Sequence, residues 1–366
     1  MTGLIGILVP FLIVLVVIVF VHEMGHYLVA RWNDVAIESF SIGFGPELIG
    51  WHDKHGTRWK ISAIPLGGYV KFVGDMNAAS APDGEALDDI PPEQRGRLFY
   101  YKNVWQRIAI VAAGPAANIL FTFVILYCML LGLGRYTIEA RIDGISPESP
   151  AAQSELLVDD VVLAVDGYAV RSFSDFQKII ATSPNREIPF LIERNGREIE
   201  VRVTTGSRMQ EDRLGNNTEI GFLGVSRDAT QEEVRFVRPG PIEAIGITIE
   251  EIVFIIDRSF KFLGELLVGR GDVEQLGGPV KIAKISGEAA SIGIFSLISL
   301  TALLSLNIGI FNLFPIPLLD GGHLVYYAIE LVRGRPLSRE IQEIGFRFGL
   351  FVVMSLMVFT LINDIF

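Results

Sequence analysis

Four long apolar runs, separated by polar stretches, organise this chain. Leu4 to Val21 is nearly all Leu, Ile, Val and Phe, and Ile108 to Leu133, Ile292 to Phe314 and Phe346 to Ile362 repeat the pattern. Runs of this length suit the roughly 20 residues that a helix needs to cross a bilayer. The first run predicts a helix reaching about Arg31, with Pro10 as a kink point. A cleaved signal peptide is the rival reading, but the run lacks a basic leader and an Ala-x-Ala site. Arg95, Arg97, Lys102 and Arg107 flank the second run, and Arg333, Arg335 and Arg339 lie between the third and fourth. By the positive-inside rule these loops are cytoplasmic, which leaves both termini and the middle of the chain outside.

The polar stretches carry other periods. Phe40-Ser41-Ile42-Gly43-Phe44-Gly45 reads as a loop. Thr57 to Val73 reads as a β-hairpin: Trp59, Ile61 and Ala63 alternate with Arg58, Lys60 and Ser62, Gly67-Gly68 turns, and Tyr69, Lys71 and Val73 resume the alternation. Asn77 to Gly96 reads as a surface loop. Residues 135–230 predict a small β-rich domain. Val161 to Val165 with Asp166-Gly167 is strand and turn, Ser174 to Ala181 a short helix, and Ile188 to Ile192 with Ile199 to Val203 a hairpin about Asn195-Gly196. In 231–290, Ile245, Ile249, Ile252, Val253 and Ile256 recur at helical spacing among Glu250, Glu251 and Asp257. That segment reads as amphipathic helix on the membrane surface, in preference to a domain-packing helix.

The fold class expected is therefore an α-helical polytopic membrane protein of four transmembrane helices with an inserted β-rich extracytoplasmic domain. Its parts are a membrane portion over 1–134, the β-rich domain over 135–230, the amphipathic segment over 231–290 and a second membrane portion over 291–366. Composition agrees: half of the 366 residues are hydrophobic, and a net charge of −11 argues against nucleic acid as a partner. A single cysteine, Cys128, excludes an intramolecular disulfide.

Chemistry enters at the end of the first run, where His22-Glu23-Met24-Gly25-His26 reads His-Glu-x-x-His. Residues i and i+4 share a helix face, so His22 and His26 can point at one metal ion, with Glu23 placed to take a proton from an attacking water. Ionisable groups near a bilayer centre cost roughly 2.5–3.5 kcal/mol each and mark function by default. Catalytic zinc takes three protein ligands. Asp320 is the best third: it follows the third run, where Pro315, Pro317 and Gly321-Gly322 break the helix, and the topology puts it at similar depth. His323 is a second possibility for ligation, and a helix cap is the plain alternative for Asp320. His52 and His55 read as solvated.

Four motifs together resemble the site-2 protease family: His22-Glu23-x-x-His26, Pro65-Leu66-Gly67-Gly68-Tyr69-Val70, Gly114-Pro115-x-x-Asn118, and Asn312-Leu313-x-Pro315-x-Pro317-x-Leu319-Asp320-Gly321-Gly322. The resemblance covers nearly the whole chain. It implies an intramembrane zinc metalloprotease of the bacterial inner membrane, with one zinc held by His22, His26 and Asp320 and with Glu23 as catalytic base. It implies transmembrane protein or peptide substrates, such as a membrane-bound anti-sigma factor or remnant signal peptides. It also makes the 57–73 hairpin a membrane-reentrant β-loop whose edge, at Ile61, Tyr69 and Val70, pairs with an unwound substrate. Asn307 and Asn312 match family positions near the substrate, although interhelical hydrogen bonding explains asparagines there equally well. The 135–230 domain is similar to a PDZ domain, which implies a periplasmic site for a peptide C-terminus. The best-known family member has two tandem PDZ domains and this chain has room for one, so gating accounts built on two do not carry over. Two other classes compete, a peptide-binding scaffold and a metal transporter. A scaffold would be expected to lose Glu23 or a ligand, and a transporter to carry ionisable residues through several spans.

Overall fold

A computed structural model describes residues 3–74, 95–211, 217–269 and 276–365, so the surface loop expected over 77–96 lies almost wholly outside them. Two compact units emerge, residues 1–126 with 277–366, and residues 127–276. The helices are α1 (Leu4–Trp32), α2 (Val104–Leu133), α3 (Phe173–Ala181), α4 (Pro241–Leu267), α5 (Pro279–Ile292), α6 (Ile294–Asn312), α7 (Asp320–Arg333) and α8 (Arg339–Ile365). Among the described residues, α1, α2, α6 and α8 are long and apolar enough to cross a membrane. These are the four runs of the sequence. At 1.5 Å per residue, α1 is about 43 Å long and its metal motif lies roughly 27 Å from its start.

In the first unit small residues set the helix crossings. A Cβ on Gly25 of α1 would overlap the Ala113 carbonyl of α2, and one on Gly309 of α6 would stand 3.0 Å from Pro115 O. Close backbone approach of this kind is how membrane helices gain contact where lipid is as apolar as their side chains. Pro115 sits within α2; prolines are tolerated in membrane helices where neighbouring groups satisfy what they free. Asp364 near the end of α8 accepts hydrogen bonds from the N–H groups of Gly278, Val280 and Lys281 at 2.8–3.0 Å, capping α5.

The β-structure of this unit corrects the expected hairpin. Strands β1 (Ile37–His52) and β2 (Arg58–Phe72) are both bent, and the turn between them is at 53–57. Phe40, Ser41 and Ile42 pair on one side with Trp59, Lys60 and Ile61 and on the other with Val70, Tyr69 and Gly68. The stretch read as a loop is thus a central strand segment lying between the two arms of the expected 57–73 hairpin. The sheet has four segments in the order 47–52, 58–62, 37–42, 68–72. Serines hid the strand: Ser39 and Ser41 are buried, and the Ser41 hydroxyl satisfies itself on Gly43 O at 2.9 Å. The turn comes instead from Asp53, whose carboxylate accepts from His55 N at 2.8 Å and Thr57 N at 3.0 Å, with Gly56 at φ +85°. The same carboxylate takes Tyr27 Oη at 2.7 Å and Trp59 Nε1 at 3.1 Å, pinning the sheet to the turn of α1 that carries His26. Burial pulls the Asp53 carboxyl up, but these donors outweigh it and hold it at about 2.

The second unit has a four-stranded antiparallel sheet ordered β4 (Tyr168–Ala169), β3 (Val161–Val165), β5 (Glu187–Arg194), β6 (Arg197–Thr204). Both expected tight turns are present, with positive φ at Asp166, Gly167, Asn195 and Gly196. Helix α3 is capped by the Ser172 hydroxyl and buries Phe176, Ile179 and Ile180 against Ile188, Phe190 and Ile192.

The boundary expected at 230 falls inside this unit, because Phe254 of α4 joins its core. The expected 231–290 segment is therefore divided, α4 going with the β-rich unit and α5 with the spans. Ion pairs Arg171–Glu250, Lys178–Glu251 and Arg258–Asp166 turn the charged side of α4 inward. Ile242, Ile245, Ile249, Val253 and Phe260 stay exposed.

Candidate metal centre

Two side chains from one face of α1 and a third from far along the sequence converge beside β2. His22 Nε2 and His26 Nε2, one turn apart on α1, are 3.3 Å from each other. Asp320 Oδ2, at the first position of α7, is 3.1 Å from His22 Nε2 and 3.5 Å from His26 Nε2. Among the described residues this is the single group of three acidic, His or Cys side chains close enough to hold a metal ion.

The donor set fits zinc. Tetrahedral zinc with bonds of 2.0–2.1 Å has ligand atoms about 3.3–3.4 Å apart, the spacing of these three. His26 Nδ1 donates to Ile110 O at 2.9 Å, so its Nε2 faces the centre as a lone pair. Buried Asp320 Oδ2 finds no hydrogen bond of good geometry despite its two neighbours. A cation between the three atoms resolves that deficit.

Local structure places each of the three side chains. Gly114 of α2 lets that helix lie against both imidazoles: a Cβ there would overlap His26 Nε2 and stand 2.9 Å from His22 Cε1. Asp320 is reached through a tight loop in which Leu319 N donates to Ile316 O at 2.9 Å and Leu318 holds φ +116°. For a branched residue that backbone is strained, and such strain gathers at functional sites. Gly321 and Gly322 are needed beside it, since a Cβ on either would overlap carbonyls of residues 313–316. Glu23 is buried at 8 % exposure and its Cγ packs within 3.0 Å of where a Cβ on Gly68 would stand.

A cavity of about 760 Å³ opens onto the centre, lined by His22, Glu23, His26 and Asp320 together with Tyr69, Val70, Asn312 and His323. Tyr69 and Val70 lie on the 68–72 segment, an outer strand of the sheet. Ile61 does not share that position. It pairs with Ile42 on one side and Ile49 on the other, so it offers no free edge, which corrects its expected place. Asn307 is not among the lining residues, and His323 is not one of the three converging side chains. Sequence reasoning missed Gly114 as the surface under the ligands, although its motif was visible.

Comparison with known proteins gives a consistent picture. The profile of peptidase family M50 matches residues 10–356. A Mesorhizobium japonicum protein provisionally named a zinc metalloprotease is 46 % identical over 362 residues, 99 % of each chain. Metalloprotease MmpA of Caulobacter vibrioides is 39 % identical over 387 aligned positions, covering 100 % of this chain and 96 % of its own. Among solved structures, the PDZ domain of an SdrC-like protein from Listeria monocytogenes covers 24 % of this chain and 83 % of its own at 16 % identity. Its TM-score of 0.19 is too low to fix the fold of the β-rich unit.

Proposed function

The chain belongs to peptidase family M50, a zinc-dependent family, and from this we propose that it cleaves peptide bonds within or near the transmembrane segments of other membrane proteins. The observation that carries the reading is the place of the centre: two ligands lie on α1, the most apolar of the candidate spans, and the third opens α7, directly after the loop that leaves α6. Charges of the loops support an inner-membrane protein whose metal centre lies toward the cytoplasm and whose β-rich unit lies in the periplasm.

The chemistry follows from the residues. His22, His26 and Asp320 would hold zinc. When bound, zinc supplies Lewis acidity, polarising a carbonyl and lowering the pKa of water to about 7. Glu23, buried beside the centre, takes the proton of the attacking water and returns it to the leaving amine. A peptide bond in a membrane helix is already hydrogen-bonded within its own segment, so the substrate has to unwind first. The outer strand at 68–72 can then accept it as an added strand, with Tyr69 and Val70 facing the cavity. Asn312 lines the same cavity and can hold backbone groups that unwinding frees.

The purified protein in detergent should carry one zinc and cut a single-span reporter within its apolar segment. Chelation should stop cleavage and added zinc restore it. Cutting of soluble unfolded chains with the span left intact would instead assign an ordinary metallopeptidase.

Helix α4 supports contact with lipid. A helix that only packs on its own domain turns its apolar side inward, and α4 exposes Ile242, Ile245, Ile249, Val253 and Phe260. Spin labels at Ile249 and Val253 should be protected from a water-soluble relaxant and reached by dissolved oxygen in bilayers. Equal access of the water-soluble reagent at both positions would exclude membrane contact.

A further inference from the structure

Asn118, on α2 one turn beyond Gly114, sets its side chain against the outer nitrogen of His22. It is completely buried. Its amide Nδ2 is 3.3 Å from His22 Nδ1, and its Oδ1, also buried, has no hydrogen-bond partner. The residue is held from behind: the Thr122 and Ser305 hydroxyls both donate to its carbonyl oxygen, at 3.0 and 3.2 Å, and Gly309 of α6 leaves just enough room beside its Cβ. An apolar side chain would pack at such a position without leaving a polar atom unpaired, so a buried amide here calls for a partner.

The two ligand histidines have outer nitrogens with different neighbours. His26 Nδ1 meets a backbone carbonyl, which can only accept, and so the tautomer of His26 is fixed. His22 Nδ1 meets an amide, whose oxygen and nitrogen are interchangeable by a half-turn about the terminal bond. With Nδ2 toward His22, Nδ1 accepts, the ring proton sits on Nε2 and points into the metal centre, and Oδ1 stays unpaired. With Oδ1 toward His22, Nδ1 donates to it and Nε2 presents its lone pair to the centre. Only the second arrangement permits a metal; it pairs Oδ1 with His22 and leaves Nδ2 in the position that has no partner.

We propose that Asn118 is a positioning residue whose amide oxygen accepts from His22 Nδ1 and so holds that imidazole in its metal-binding tautomer. This rests on the reading of His22 as a zinc ligand. Outer-shell partners of ligand histidines typically contribute 10–100-fold in metal affinity.

The test is zinc affinity by chelator competition on the full chain in detergent, for wild type, Asn118→Leu, Asn118→Asp and Asp320→Ala. Asn118→Leu, close in size and apolar, should weaken zinc 10–100-fold. Asn118→Asp keeps only acceptors, so it should bind zinc more tightly than wild type. Weakening by both would mean that the amide matters for its shape or its N–H groups and not as an acceptor, and no change with either would mean that it merely packs; each overturns the proposal. Should Asn118→Leu fail to fold, Asn118→Asp decides alone: a carboxylate is the stronger acceptor, so tighter zinc than wild type supports the proposal and unchanged or weaker zinc overturns it. Zinc binding that survives Asp320→Ala unaltered would point instead to failure of the ligand assignment.

Discussion

Glu23→Gln is expected to keep one zinc per chain and to lose cleavage by at least the 10²–10⁴-fold typical of a missing general base. The two side chains have nearly the same shape, and Glu23 is not among the three groups whose atoms converge. The site should therefore assemble unchanged while its proton acceptor is gone. Glu23 is buried. Burying a carboxylate costs far more than burying an amide, so the variant should melt no lower than wild type. That pairing of lost activity with undiminished stability is what an active-site charge predicts and what a structural one does not. Single-turnover cleavage by zinc-matched preparations is the measurement; turnover within a few-fold of wild type would rule out Glu23 as the base.

Asp320→Ala and Gly114→Ala should both empty the metal centre, for different reasons. The first removes one of three ligands and leaves two histidines, which hold zinc poorly. The loss should exceed the 10–100-fold expected for an outer-shell partner. The second leaves every ligand in place and fills the space against which they rest. A methyl at Gly114 would overlap His26 Nε2 itself, so the ring has to swing from the position that faces Asp320. The rigid α1–α2 crossing, with Gly25 already against the Ala113 carbonyl, gives little room for the helices to part instead. Metal analysis after purification checks both. Full zinc in Asp320→Ala would move the third ligand elsewhere, and full zinc in Gly114→Ala would show that the helices separate freely.

Much of the molecule was legible because runs of about 20 apolar residues leave a chain few choices besides a long helix. The apolar runs reappear as α1, α2, α6 and α8 to within a few residues at most ends, since a spanning segment has to satisfy its own backbone and advertises itself by composition. The tight turns at Asp166-Gly167 and Asn195-Gly196 were legible for a local reason too, the need for positive φ. The β1–β2 sheet was not. Its central segment carries Ser39, Ser41 and Gly43, a composition that reads as loop, and its pairing with both 58–61 and 68–71 is a long-range choice that no local period records. Placement of α4 failed similarly at the boundary: its amphipathic period was plain, but which side meets the β-rich unit depends on Arg171, Lys178 and Asp166, far away in sequence.

The sequence by itself determined the four long apolar helices, the His-Glu-x-x-His face and the candidacy of Asp320, because helical spacing fixes His22 against His26 and chain chemistry limits what else can ligate. The tertiary structure alone decided that Asp320 Oδ2 stands 3.1 Å from His22 Nε2, that Gly114 backs both rings, and that Asn118 meets His22 Nδ1. Those distances arise where three helices and a strained loop cross, and the crossing is set by how closely small residues let backbones approach. That is a property of pairs of surfaces, which a single stretch of sequence does not contain.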